Sequence, residues 1–114
     1  MLDCAGDFDL IGSPAGWWEC NLTDSSLSWS SGVYDLFGFP REAEVTRDET
    51  LARYTDHSRA ILERLRTDAI HNACGFTLDA ELKPPAGAKW VRIVAAPDLV
   101  DGRVVRLHGL KFTL

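Results

Sequence analysis

FTLDAELKPPAGAKWVRI (residues 76–93) and DGRVVRLHG (residues 101–109) decide the fold of this chain. In the first stretch Phe76, Leu78, Ala80 and Leu82 alternate with Thr77, Asp79, Glu81 and Lys83. That is the two-residue period of a strand with one face buried. Pro84, Pro85, Ala86 and Gly87 supply a turn, since neither proline fits within a central strand. A second strand is predicted over 89–96. Asp101-Gly102 is a hairpin signal, and a third strand follows over 103–112.

Upstream of these strands the periodicity changes. Ile61, Leu65 and Ala69 recur four apart, widened by Leu62 and Ile70, which predicts a helix from His57 to Asn72 with Asp56 as its cap. A shorter helix is predicted over 47–54, with Leu51 and Tyr54 on one side, after a polar loop over 40–47. Ser30 or Ser31 can cap a helix over 32–37, which Gly38 ends. Residues 16–22 alternate as a strand, Trp18, Cys20 and Leu22 against Trp17, Glu19 and Asn21. The polar turn at 23–26 leads to a short strand over 27–29. Cys4, Phe8 and Ile11 lie at i, i+4 and i+7, one stripe of a short N-terminal helix that Gly12 and Pro14 end. The expected fold is α+β: a five-stranded antiparallel sheet with helices packed on one face. One domain over 14–114 is flanked by a helical cap over 1–13.

The bulk properties exclude several classes. At 114 residues, 46% hydrophobic and 25% charged, the chain suits a single soluble domain. A net charge of −5 argues against nucleic acid, whose phosphates demand a basic surface. No apolar run approaches the ~20 residues needed to span a bilayer, and the N-terminus lacks a signal-peptide pattern. A cytoplasmic location without membrane contact by this segment is the expectation. Three cysteines, Cys4, Cys20 and Cys74, at unrelated spacings suggest no disulfide framework.

Taken together, the motifs resemble the PAS family of sensory domains, in the branch often called PAS-3. Gly16-x-Trp18-x-Cys20-Asn21-Leu22 resembles its opening G-x-W-x-W-D-L, and Leu27 to Ser30 its second strand. Val33 to Phe39 resembles its helix-and-turn segment ending l-f-G-y/f. Asp56-His57 stands where the family writes H-P-x-D. Glu81-x-Lys83 stands for E-x-R, Gly87 for its D-G turn, and Lys89-Trp90-Val91 for R-W-V. The D-I-T close, which couples the last strand to an output helix, is not matched: the chain ends Lys111-Phe112-Thr113-Leu114.

The resemblance implies a non-catalytic sensory and dimerisation module of a bacterial-type signalling protein, such as a histidine kinase or a cyclic-dinucleotide enzyme. The effector domain would lie in the same full-length chain. It also implies a cavity between helices and sheet for a small molecule, of identity unknown, or for packed side chains alone. Candidate walls are Trp18, Cys20, Trp29, Tyr34, Phe37, Leu65, Ile70, Phe76, Leu78, Val91, Ile93 and Leu107, with Tyr34 and the tryptophan N–H groups best suited to touch a ligand. A homodimer surface is expected from Cys4, Phe8 and Ile11 with Trp17 and Trp90. No bound cofactor is the first expectation. Haem-binding members of the family ligate iron with a histidine late in the helical region, where this chain has His71, so a haem-based gas or redox sensor is the alternative. The flavin photosensor cysteine motif is absent from residues 57–65, which disfavours a covalent flavin adduct.

Catalytic motifs are wanting. The sequence holds no nucleophile elbow, P-loop or HExxH, and its three histidines, His57, His71 and His108, do not form a metal motif. Asp79 and Glu81 share a strand face, either as a carboxylate pair or as a polar face beside Lys83 and Lys89. An inward Asp79 would support a third reading, a small cone-shaped α+β isomerase or dehydratase.

Overall fold

The computed structural model describes residues 15–83 and 89–114. The stripe of Cys4, Phe8 and Ile11 and the turn at 84–87 therefore lie outside the described residues. Five strands, β1 (Ala15–Asn21), β2 (Leu27–Trp29), β3 (Phe76–Leu82), β4 (Lys89–Val100) and β5 (Arg103–Thr113), form one antiparallel sheet in the order β2-β1-β5-β4-β3. Three helices, α1 (Ser31–Phe37), α2 (Arg47–Leu51) and α3 (Asp56–Asn72), connect β2 to β3. The α+β sheet-and-helix architecture expected from the sequence is the one observed.

Register divides the sheet cleanly into two faces. Trp18 and Cys20 of β1, Leu107 and Lys111 of β5, and Val91, Ile93 and Ala95 of β4 are buried on the inner face. The alternate positions, Trp17, Glu19, His108, Leu110, Phe112, Arg92 and Val94, are half-buried on the outer face. The core on the inner side holds Val33, Leu36, Phe37, Leu51, Tyr54, Ala69, Ala80 and Leu82 as well. Trp29 stacks on Phe37 with ring centres 5.2 Å apart, and Tyr54 meets Phe37 edge-on at 5.6 Å.

Local chemistry explains the helix ends, with three departures from expectation. Ser30 precedes α1, but its Oγ accepts from Trp17 N at 3.0 Å instead of capping the helix, so this hydroxyl pins β2 to β1. Gly38 takes the left-handed conformation (φ 77°) and ends α1. α2 closes at Leu51 rather than 54, because Tyr54 leaves the helix to bridge Leu82 on β3. Its start is a capping box: Thr46 Oγ1 accepts from Glu49 N at 3.1 Å and Glu49 Oε1 accepts from Thr46 N at 3.0 Å. The cap of α3 is Thr55, not Asp56, with Thr55 Oγ1 accepting from Ser58 N.

α3 is also rotated relative to the expected stripe. Ser58 and Ala69 are its fully buried residues, and Leu62 and Ile70 pack on the core. Ile61 and Leu65 stand only half-buried to one side. Ser58 fixes the rotation, because its Oγ accepts from Glu81 N at 2.9 Å, while Thr55 N donates to Glu81 O at 3.0 Å. The inward stripe is thus 58, 62, 66 and 69, which carries an arginine in its middle.

β4 runs four residues past the predicted end, through Pro97. The proline is tolerated because β3 begins at Phe76, opposite Ala95, so that β4 at 97 is paired only with β5. Gly109 of β5 matters for a different reason: a Cβ there would fall on the Val94 carbonyl oxygen of the neighbouring strand.

Gly109→Ala is expected to lower unfolding free energy by more than about 2 kcal/mol, since backbone rather than a side-chain tip must move. Thr46→Ala should cost about 1 kcal/mol through the lost cap. Urea unfolding of both variants beside the parent checks the pair.

Candidate functional site

A cavity of about 60 Å³ opens between the inner face of the sheet and α2 and α3. Its walls are Trp18, Cys20, Leu27, Trp29, Arg47, Thr50, Leu51, Tyr54, Leu62, Arg66, Phe76, Ile93, Leu107 and Lys111. Each element contributes through the local order just described. The Thr46 capping box aims Arg47, Thr50 and Leu51 at the sheet. The Ser58–Glu81 bond turns Leu62 and Arg66 inward. The Tyr54–Leu82 bridge sets the phenol under β5.

Of the sequence-derived wall residues, Trp18, Cys20, Trp29, Phe76, Ile93 and Leu107 meet at this cavity. Val91 is fully buried in the core away from it, and Phe37 lies behind the first layer against Trp29 and Tyr54. Leu78 and Ile70 pack on the core, and Leu65 sits to the side of α3. Tyr34 meets Trp29 edge-on at 5.0 Å and lines a shallow outer groove between 24–27 and 42–48. The sequence reading did not include Arg47, Arg66, Tyr54 or Lys111. Two signals carried the cations: Lys111 shares strand parity with Leu107, and Arg66 lies four residues after Leu62.

Lys111 is the unusual member. Its residue is only 7% exposed, and no carboxylate pairs with it among the described residues. Nζ donates to the buried Tyr54 hydroxyl at 3.4 Å. It lies 4.8 Å from the ring centre of Phe37, 5.1 Å from that of Trp18 and 6.0 Å from that of Tyr54. The rings attract the cation by their π-faces, which offsets part of its lost hydration. Burial pushes the Lys111 ammonium down to about 7, with Arg47 acting in the same direction and Cys20 against it. Burial likewise pushes the Tyr54 phenol above its ordinary range. Arg47 is ion-paired with Glu63 at the cavity edge. The indole N–H of Trp18 donates to Leu110 O at 3.3 Å, whereas the buried Nε1 of Trp29 has no acceptor among the described residues.

The residues do not fit a haem or a flavin. A volume of about 60 Å³ holds a few waters or a small fragment, against several hundred Å³ for a drug-sized ligand. The structure leaves His71 exposed in the last turn of α3, not in the cavity wall. Asp79 is likewise not brought inward. Its carboxylate accepts from Arg92 Nε at 2.8 Å and Nη2 at 3.1 Å on the outer face, and this pairing lowers its pKa. Its partner is Arg92, in place of the lysine neighbours expected from sequence. Among the described residues no group of His, Cys, Asp and Glu is placed to hold a metal. Cys20 is a buried free thiol and Cys74 an exposed one.

No family model matches the chain, and no curated protein matches it. Solved structures do. The N-terminal domain of a diguanylate cyclase with PAS/PAC sensor from Marinobacter aquaeolei superposes with a TM-score of 0.76 at 18% identity, over 87% of this chain and 94% of that one. A sensory box histidine kinase/response regulator from Burkholderia thailandensis gives 0.74 at 14% identity, over 91% and 79%. An RNA-binding light-oxygen-voltage receptor gives 0.77 at 14% identity over 89% of this chain, which spans 29% of that receptor. At such identities the likeness is one of fold, and the fold is that of PAS domains.

Lys111 makes a pH signature. The unfolded chain keeps this proton to about 10.5 and the folded chain to about 7. Between those values the unfolded state binds more protons, so stability rises with pH, by at most about 1.4 kcal/mol per unit. The rise ends near pH 10, where Tyr54 ionises in the unfolded chain but not in the folded one. The charged or titratable groups around the amine are Cys20 on β1, Arg47 on α2, Arg66 on α3 and Tyr54. Chemical denaturation at pH 7 and 9.5 should show the increase, and Lys111→Met should flatten it while being at least as stable as the parent at pH 7.

Proposed function

We propose that this PAS-fold chain is a non-catalytic sensory module of a signal-transduction protein. It takes a small molecule in the inner cavity and pairs with a second copy through the outer face of its sheet. A histidine kinase or cyclic-dinucleotide enzyme elsewhere in the same full-length protein would be the effector. The solved neighbours that carry such names, a diguanylate cyclase and a sensory histidine kinase, support that context.

One observation carries the reading: β5 serves both faces through adjacent residues. Lys111 walls the cavity, while Leu110 and Phe112 on either side of it face outward. A ligand that engages the Lys111 amine therefore acts on the strand that carries the outer surface. That gives a differential contact between two states, which a ligand needs in order to shift them.

The outer face suits a second copy. Trp17, Leu110 and Val94 are adjacent in register across β1, β5 and β4, and Trp90 is 49% exposed nearby. Around them Arg106 bonds Asp98 at 2.6 Å and approaches Glu19, His108 Nδ1 lies 3.1 Å from Asp98, and Arg92 pairs with Asp79. The His108–Asp98 approach misses hydrogen-bond geometry, so it counts as a contact only for the protonated ring. A rim carrying both signs lets a two-fold mate approach without a block of like charge. An apolar centre with a charged margin is the usual anatomy of such surfaces.

The cavity wall supports the non-catalytic part, since among the described residues no Asp, Glu or His contributes to it. An enzyme of the isomerase or dehydratase type needs one of these as an inward base. No helix among the described residues is long and apolar enough to cross a membrane.

Sedimentation velocity is the test of the pairing. The parent should sediment as a dimer, and Trp90→Glu combined with Val94→Glu should convert it to a folded monomer. A parent that stays monomeric up to about millimolar concentration sinks the homodimer.

A further inference from the structure

Cations converge on the inner cavity, and among the described residues its wall holds no carboxylate. Lys111 offers an ammonium whose hydrogen bonding among the described residues is the long bond to Tyr54. Arg66 projects from the inward stripe of α3 with no ion pair among the described residues. Arg47 adds a third positive group, with Glu63 beside it. Independently of these charges, the buried Nε1–H of Trp29, in the same wall, lacks an acceptor among the described residues. A buried donor without a partner is uncommon and costly in a native structure. Apart from Thr50, whose hydroxyl donates to Thr46 O at 3.1 Å, the rest of the wall is chiefly apolar, with Leu27, Leu51, Leu62 and Ile93.

We propose that the cavity binds a short-chain monocarboxylate, its carboxylate held by Lys111 and Arg66 and its alkyl tail against the leucine wall. This inference rests on the sensory reading and names the ligand class for it. The size follows from the volume. A cavity of about 60 Å³ accommodates a few heavy atoms, hence an acid of about two to four carbons. The charge follows from the excess of cations over the one neighbouring carboxylate. A monocarboxylate fits better than phosphate, because the wall is apolar except at its cationic end and a second negative charge would be stranded there. The aromatic rings hold the ammonium in place before the ligand arrives, so binding orders few side chains.

Titration of ¹⁵N-labelled protein with sodium butyrate, following the Trp29 indole N–H signal, tests this. The signal should move saturably at about millimolar concentration or below. n-Butanol, which has the tail without the charge, and inorganic phosphate, which has charge without a tail, should bind at least about tenfold more weakly. Lys111→Met and Arg66→Gln should each weaken butyrate about tenfold or more, while Arg59→Gln, on the exposed side of α3, should not. Arg66 is only half-buried, so its variant keeps the test open if Lys111→Met disturbs packing. A Trp29 signal that does not saturate with butyrate overturns the proposal, as does butanol binding equally well. Equal binding by phosphate overturns the carboxylate class, and unchanged affinity in both variants removes the assigned head group. Sedimentation of the ligand-free protein is independent of these outcomes, so failure here and failure of the sensory dimer are told apart.

Discussion

The pairing of β5 with β1 on one edge and β4 on the other is the constraint on which the rest depends. It brings β5 to the middle of the sheet, between β1 and β4. Once that register is set, alternation along β5 sends every side chain to the helices or away from them, and a slip by one residue would exchange the two sets. Gly109 guards the register, since its missing Cβ is what lets the Val94 carbonyl approach. Trp18 adds a second tie through its indole bond to Leu110 O.

That same register places an ammonium where an aliphatic side chain would be cheaper. Lys111 sits under Phe37, Trp18 and Tyr54, and the rings recover only part of the hydration it loses. Leu110 and Phe112, which look like core residues, face the other way. A local choice of this kind, polar inside and apolar outside at successive positions, conflicts with stability taken alone. Conflicts of that sort tend to lie at functional sites. The cationic cavity and the apolar outer face are thus two consequences of one strand, which is the physical basis for coupling a bound molecule to a partner surface.

Much of the architecture was legible because it is local. The alternation in Phe76 to Lys83, the Asp101-Gly102 turn and the Gly38 stop each need only a few neighbouring residues, and each recurs in the structure as an edge, a hairpin or a cap. The helix over 57–72 was legible as a helix but not in its rotation. Ile61-Leu65-Ala69 and Ser58-Leu62-Ala69 are equally helical stripes, and the second won because Ser58 reaches the Glu81 backbone N–H on a distant strand. Leu65 lost its place in the wall and Arg66 gained one through that single long-range bond. Pro97 within β4 went unread for a similar reason, as its tolerance depends on where β3 begins.

The sequence alone determined the strand and helix order, the fold class and six residues of the cavity wall, because hydrophobic period and turn chemistry act over a few residues of chain. Tertiary structure decided which polar groups are enclosed. Lys111, Arg47, Arg66 and Tyr54 are ordinary surface residue types by composition, and only the β5 register, the Thr46 capping box, the Ser58 bond and the Tyr54–Leu82 bridge turn them toward one cavity. Burial of a charge is set by what packs around it from elsewhere in the chain, and that information is not local.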